Sequence, residues 1–410
     1  MKKFFALLLS LAMVLALVAC GQKDPTPDTP DTPDDPQTKV EYKVAMITDY
    51  GDITDQSFNQ TTYEACKAFA EDNSIEFSYF RPAGDNTADR VAMIEKAVDE
   101  GFNVIVMPGY AFGGAIVEAA PEFPDVKFIA LDVAAGDLLE TAVAKAGEAY
   151  DYTPENWDLN KYVDMSNVYC AVYQEELCGY MAGYAAVKLG YKNLGFLGGM
   201  AVPAVVRYGY GFVQGVDAAA ADLGLTDVKL NYIYGGQFFG DADITAVMDT
   251  WYQGGTEVVF ACGGGIYTSA VDAAKKVGAK VIGVDVDQAG VIANYAGVDG
   301  MTVTSAMKGL YPATYDTLTD VIVNGNWEKY VGKIETLGLV SGTDPEANYV
   351  QIPMGDGTQW SDSFTQDDYK AMVKDMFDGK ITVSNNTSSD VSAADFATVI
   401  TVDDQGSIKG

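Results

Sequence analysis

Along the chain, short apolar runs alternate with longer stretches of helical spacing. The runs, rich in Val, Ile and Phe, lie at 44–48, 75–80, 104–107, 127–131, 168–172, 194–197, 230–234, 258–261 and 281–284. Each is followed by a glycine-bearing turn and then an amphipathic segment. Short, almost continuously apolar runs are strands covered on both faces, and strands that alternate with helices form parallel sheet. The expected class is α/β.

The pattern also repeats at long range. The run at 76–80, then Asp89, Gly101, the run at 104–107, Gly109 and Asp132 are echoed by 229–233, Asp243, Gly255, 258–261, Gly263 and Asp285. Asp89 to Gly101 and Asp243 to Gly255 both span twelve residues, while Gly101 to Asp132 and Gly255 to Asp285 span 31 and 30. Two lobes of like topology follow. Ligands of open α/β sheets bind beyond the carboxyl ends of the strands, so two facing sheets would line one cleft. Asp49, Asp132 and Asp285 each follow an apolar run directly and should converge there. Taken singly, each is equally read as a helix cap or turn residue. Gly263 opens Gly263-Gly264-Gly265 and would let backbone approach a ligand closely, but no Walker lysine follows.

The first residues follow a different rule. Lys2 and Lys3 precede an apolar stretch at 4–18, and Leu17-Val18-Ala19-Cys20 closes it. The stretch reads as a signal peptide over 1–20, and the tetrapeptide looks like a bacterial lipobox in which Cys20 is acylated after cleavage. Residues 21–40 alternate Asp, Pro and Thr and read as an extended, solvated tether. The expected place is the extracytoplasmic face of a bacterial cell membrane, with the lipid as anchor.

Composition narrows the chemistry. The roughly 370 residues after the tether are about twice a typical domain, and 48% apolar content supports a large core. Fifty-eight acidic against 26 basic residues give a formal charge of -32, which disfavours nucleic acid and phosphate-rich ligands and favours a neutral or cationic one. Histidine is absent, which excludes imidazole bases, Ser-His-Asp triads and His-ligated zinc. Cys66, Cys170, Cys178 and Cys262 form no close pair and read as buried free thiols.

At three places the sequence resembles the basic membrane protein family of substrate-binding lipoproteins, which includes purine nucleoside receptors of ABC transporters. These are Asp55-Gln56-Ser57-Phe58-Asn59, Gly198-Gly199-Met200 followed by Pro203 and Gly211-Phe212, and Gly283-Val284-Asp285-Val286-Asp287-Gln288. Lys308 in Ser305-Ala306-Met307-Lys308 resembles the family's crossover lysine, and the likeness extends over about 43–384. Gln56 stands where the family has lysine, and Tyr208 where it usually has Phe. The resemblance implies a two-lobed type I periplasmic-binding-protein fold with a three-segment hinge. We place the crossings near Tyr173, Thr304 and Asn326, so that lobe one is 41–173 plus 305–326 and lobe two is 174–304 plus 327–400. Residues beyond Ser384 have no assigned place.

The same resemblance implies a purine nucleoside in the cleft. Phe58 and Phe238 would stack on the base, with Phe239 or Tyr208 as alternatives to Phe238, although most phenylalanines are simply core. Asn59, with Asp49 or Asp55, would meet the base edge. Asp132 and Asp285 would take ribose hydroxyls from opposite lobes, Gly263 would lie against the ligand, and Lys308 would donate to a ribose oxygen and offset the carboxylates. Closure about the hinge would present the receptor to permease and ATPase subunits. A monomer without cofactor and without catalysis is expected. An insertion at 136–165 could border the cleft mouth. Other readings are a sugar, riboflavin or other heterocycle as ligand, a sensor or adhesin without a transporter, and a nucleoside hydrolase using Asp49, Asp55, Asp132 and Asp285 around calcium.

Overall fold

The structure, a computed structural model, describes residues 41–409. The signal peptide 1–20, Cys20 and the tether 21–40 lie outside the described residues. The first lobe begins with β1 (Lys43–Ile47), α1 (Phe58–Asn73), β2 (Glu76–Phe80), α2 (Thr87–Asp99), β3 (Val104–Pro108), α3 (Gly113–Ala119) and β4 (Lys127–Leu131). It continues through α4 (Ala135–Lys145), α5 (Leu159–Tyr162) and β5 (Val168–Tyr173). The second lobe holds α6 (Glu175–Lys188), β6 (Asn193–Gly198), α7 (Pro203–Leu223), β7 (Lys229–Tyr234), α8 (Ala242–Gln253) and β8 (Val258–Cys262). There follow α9 (Tyr267–Val277), β9 (Lys280–Asp285), α10 (Ala289–Ala296) and β10 (Thr302–Lys308). Last come α11 (Leu310–Leu318), β11 (Ile334–Leu337), β12 (Val350–Gln351), α12 (Gln366–Phe377) and β13 (Thr401–Ser407).

Two sheets result. The first has the order β11-β5-β4-β3-β1-β2 and is wholly parallel. The second runs β12-β10-β9-β8-β6-β7-β13, parallel except where β12 meets β10. Side chains alternate between the faces of a strand. On β1, Val44 and Met46 enter one core while Ala45 and Ile47 enter another. On β8, Val258, Phe260 and Cys262 face one core and Val259 and Ala261 the other. The nine expected runs are β1 to β9.

Chain crossings differ from the sequence boundaries at two of three places. The first falls after Tyr173, the end of β5. The second falls after Lys308 rather than near Thr304, because β10 pairs with β9 as far as Met307 and with β12 at Lys308, both in the second sheet. The third falls between Leu337 and Val350 rather than near Asn326, because β11 pairs with β5 and so belongs to lobe one. Ile334–Leu337 is short and no residue of it is buried, so its attachment is a backbone ladder that a hydrophobic pattern does not record. Lobe two also extends past residue 400, through β13.

One helix pair sets the geometry of the site. α6 and α7 cross at glycines: a Cβ at Gly179 would stand 2.3 Å from the Tyr208 carbonyl oxygen, and one at Gly211 would stand 2.1 Å from that of Glu176. Gly183 and Gly215 continue the contact one turn on. This close approach brings Glu175, at the start of α6, beside Arg207 in the first turns of α7. The 136–165 insertion packs outward on lobe one, burying Leu138, Ala142, Val163 and Met165. Tyr150, Tyr152, Trp157 and Tyr162 form a chain of ring contacts over it.

Candidate functional site

Between the lobes lies a cavity of about 400 Å³, within the range of roughly 300–1,000 Å³ typical of small-molecule sites. Its walls include Asp49, Asp55, Phe58, Asn59, Asp132, Phe238, Gly263, Asp285 and Lys308. All nine residues singled out in the sequence therefore meet in one place. The lining on the insertion side stops at Ala134.

The strand-end rule puts them there, and the internal repeat reappears as backbone geometry. Asp132 and Asp285 both adopt left-handed φ, 61° and 65°, and Gly109 and Gly263 have φ of 126° and 149°. A non-glycine residue in the left-handed region is uncommon, with Asp and Asn the usual exceptions. Each turn aims its carboxylate across the strand ends.

Their surroundings differ. Lys308 Nζ donates to Asp132 Oδ2 at 2.6 Å and to Glu175 Oε1 at 3.3 Å, and Arg207 Nε donates to Glu175 Oε2 at 2.7 Å. Two cations and two carboxylates thus alternate in a nearly dry row. Burial pushes Asp132 up to about 6, with Lys308 opposing and Glu175 reinforcing. Burial alone would push the Lys308 ammonium down, but Asp132, Glu175 and Asp285 outweigh it and hold it above its ordinary value. Lys308 Nζ also lies 4.9 Å from the Phe58 ring centroid and 5.6 Å from that of Tyr208. Asp285 instead accepts from neutral groups: Ser57 Oγ at 2.5 Å and the Tyr208 hydroxyl at 3.3 Å.

The loop after β1 is equally ordered. Asp49 Oδ1 accepts from the amides of Tyr50 and Gly51 at 2.6 and 2.7 Å. Burial raises Asp49 despite these donors. Asp55 accepts from the amides of Ser57, Asn59 and Gln60 and from Asn59 Nδ2, so its carboxylate holds the start of α1 rather than facing the cavity free. That contact orients the Asn59 amide, and leaves Asn59 Oδ1, like Asp132 Oδ1, buried without a hydrogen-bond partner in the protein. Such orphaned acceptors cost stability unless something donates to them.

Phe238 lies on glycine. A Cβ at Gly199 would come within 2.4 Å of its ring and one at Gly263 within 2.8 Å. Its centroid is 6.4 Å from that of Tyr50 across the cleft. Phe239 is 59% exposed at the rim, whereas Tyr208 is buried and engaged with Asp285. Lobes one and two also touch through Gln288 Nε2, which donates to the Gln56 carbonyl at 3.1 Å, and through the Tyr50 hydroxyl 3.4 Å from Met200 Sδ. With Ser57–Asp285 these contacts make the arrangement a closed one.

Sequence reasoning missed Glu175, Arg207, Ser57 and Tyr50. Glu175 was within reach, since it stands just past β5 as Asp132 stands past β4. Arg207 interrupts an apolar helix, which was a signal in itself. Ser57 lies inside the Asp55–Asn59 motif, where a hydroxyl carries no signal of its own. Among the described residues no group of three or more His, Cys, Asp or Glu is arranged to hold a metal ion, and no helix is long and apolar enough to cross a membrane. Cys66, Cys170, Cys178 and Cys262 are free and buried.

Residues 42–343 match the family model described as ABC transporter substrate-binding protein PnrA-like. The chain is 25% identical over 392 residues to the ABC transporter nucleoside-binding protein BmpA of Lactococcus lactis subsp. cremoris, covering 92% of this chain and 96% of that one. It is 26% identical over 320 residues to an uncharacterized lipoprotein of Pyrococcus abyssi, covering 74% and 69%. An ABC transporter solute-binding protein from Aeropyrum pernix superposes with a TM-score of 0.60 at 19% identity, over 83% of this chain and 87% of that one. This last likeness bears on the fold, the two-lobed type I periplasmic-binding-protein architecture.

Proposed function

Because the chain belongs to the PnrA-like family of ABC transporter substrate-binding proteins, we propose that its cleft binds a purine nucleoside, with the base between Phe58 and Phe238 and the ribose among Asp132, Asp285 and Lys308. The observation that carries this reading is one cavity of about 400 Å³ lined by Phe58, Phe238, Asn59, Asp132, Asp285 and Lys308, two of which, Asn59 and Asp132, each keep a buried oxygen without a partner in the protein. A nucleoside supplies donors of both kinds needed: a base N–H for Asn59 and a ribose hydroxyl for Asp132. Aromatic rings on either side supply stacking, worth about 1–3 kcal/mol per base. Gly263 lies under the Phe238 ring and so seats it against the cleft, and Asp49 and Asp55 act mainly by fixing the loop that carries Phe58 and Asn59. The relative named as a nucleoside-binding protein supports the same ligand class.

The mechanism is capture without chemistry. Ligand bonds join the Ser57–Asp285 and Gln56–Gln288 contacts in favouring closure, and the closed receptor is the form a permease with its ATPase would recognise. Cys20 lipidation and the 21–40 tether would hold a monomeric receptor at the outer face of the cell membrane, in keeping with the relative named as a lipoprotein.

Calorimetric titration of the protein, unfolded and refolded to release copurified ligand, tests this against guanosine, inosine, adenosine, uridine, ribose and riboflavin. The expected result is saturable purine-nucleoside binding, weakened by Phe58→Ala and abolished by Asp285→Ala. Heat with ribose or riboflavin alone, or with none of the set, would overturn the assignment.

A further inference from the structure

Residues 384–409, which the sequence left without a place, wrap lobe two. Gln214 Nε2 donates to the Ser384 carbonyl at 3.0 Å, and Gln214 Oε1 accepts from the Ser384 amide at 2.8 Å. The Tyr210 hydroxyl donates to the Val391 carbonyl at 2.9 Å, and its ring meets Phe396 at 4.9 Å between centroids. The buried Asp217 carboxylate accepts from the amides of Thr398, Val399 and Ile400 at 2.8, 2.8 and 3.2 Å and from the Thr398 hydroxyl at 2.6 Å. Burial alone would push Asp217 up, but these donors outweigh it and hold it below its ordinary range. β13 then runs along β7 from Thr401 opposite Lys229 to Ser407 opposite Tyr234, and the Ile408 amide donates to the Tyr234 carbonyl at 2.8 Å.

β7 leads directly into the loop that carries Phe238, and the tail ends against that loop. Lys409 Nζ donates to Gln237 Oε1 at 2.8 Å and pairs with the Asp241 carboxylate. The Lys409 carbonyl oxygen lies 2.7 Å from where a Cβ at Gly236 would stand, and Gly236 has φ of +80°, so only glycine lets tail and loop lie so close. Gln237 Nε2 donates in turn to the Phe239 carbonyl at 2.9 Å and to Asp241 Oδ2 at 3.0 Å. Asp241 caps α8 through the amides of Asp243 and Ile244. Lys409 therefore grips both sides of Phe238.

We infer that the C-terminal segment is a positioning strap: β13 and Lys409 hold the 236–241 loop so that the Phe238 ring stays against Gly199 and Gly263, and so set how tightly the cleft grips an aromatic ligand. The ligand part of this inference rests on the nucleoside reading above. Residue 409 lies far along the chain from every residue lining the cavity, yet acts on one of its two proposed stacking rings.

The test uses the full-length chain carrying Lys409→Ala and a chain ending at Ser407, each alone and combined with Phe238→Ala. Guanosine and inosine affinities are read by calorimetry, and loop order by amide hydrogen exchange over 236–241. Lys409→Ala should weaken nucleoside binding about two- to fivefold, the scale of a partly exposed ion pair, with a larger loss in the shortened chain. Exchange over 236–241 should quicken in both. In the Phe238→Ala background neither change should weaken binding further, because the strap works through that ring. Losses that add to that of Phe238→Ala would overturn the inference. So would unchanged exchange over 236–241, whether or not a nucleoside binds. A parent protein that binds no nucleoside sinks the nucleoside reading by itself, and the exchange result alone then decides for or against the strap.

Discussion

Lobe one and lobe two repeat the same turns with different contents. Gly109 and Gly263 occupy matching positions, as do Asp132 and Asp285, down to the sign and size of φ. At the end of the leading strand the match stops: Asp49 in lobe one abuts Gly109, where lobe two has Gly199 against Gly263. The carboxylate gives lobe one a tightly hydrogen-bonded loop, and the glycine gives lobe two a bare floor on which Phe238 lies. The strand-end carboxylates diverge too, since Asp132 belongs to a row of buried ions and Asp285 is held by two hydroxyls. A duplicated scaffold has thus kept its backbone solution while dividing polar recognition and apolar support between its halves.

The sharpest way to break this comparison is to remove a charge from the row. Lys308→Met leaves Asp132 and Glu175 buried with Arg207 as sole cation, and should lower unfolding free energy by about 3–5 kcal/mol in urea titrations. Asp285→Ala removes two bonds to hydroxyls and a more distant attraction to Lys308, and should cost about 1–3 kcal/mol. Equal losses would mean that the two carboxylates are not differently supported.

Next in size is a substitution on the apolar side. Gly199→Ala drives a methyl into the Phe238 ring and should weaken purine-nucleoside binding by about 1–2 kcal/mol, with little change in unfolding midpoint. A variant that binds as tightly as the parent would show that the ring's seat is irrelevant to the ligand.

The smallest effect is on pH dependence. Burial pushes the Asp132 carboxyl, ordinarily near 3.8, up to about 6. The folded protein therefore holds this proton more tightly than the unfolded chain. Its contribution to ligand-free stability is full below about pH 4 and is lost as pH rises through about 6. Binding runs the other way, because a protonated Asp132 is a weaker acceptor for Lys308 and a ribose hydroxyl than the carboxylate is. Affinity should fall by up to about tenfold from pH 7 to pH 5, and Asp132→Asn should flatten that profile. A profile equally steep in Asp132→Asn would assign the titration elsewhere.

How much was legible in the sequence follows the same division. Most of strands β1 to β9 announce themselves because they are apolar on two faces, edge strand β2 being the exception, and the strand-end rule then finds Asp49, Asp132 and Asp285 without any contact being known. β11 and β13 escape because Ile334–Leu337 and Thr401–Ser407 bury almost nothing; backbone ladders with β5 and β7 hold them. The bonds that Asp55 makes to the start of α1 are hidden in the sequence for a related reason. A motif names a residue, but only geometry separates a carboxylate that meets a ligand from one that caps a helix. Arg207 reaches the cleft because α6 and α7 touch at glycines, a contact between distant segments that periodicity within either helix leaves out.

β13 has one more effect, on crowding. It is the outermost strand of its sheet, and an outer strand is a template on which another chain can dock. The strand exposes Asp403 and Asp404 along that margin, so a second copy approaching edge to edge would set carboxylate against carboxylate. Where many copies share a confined space, that repulsion disfavours their joining into a continuous sheet.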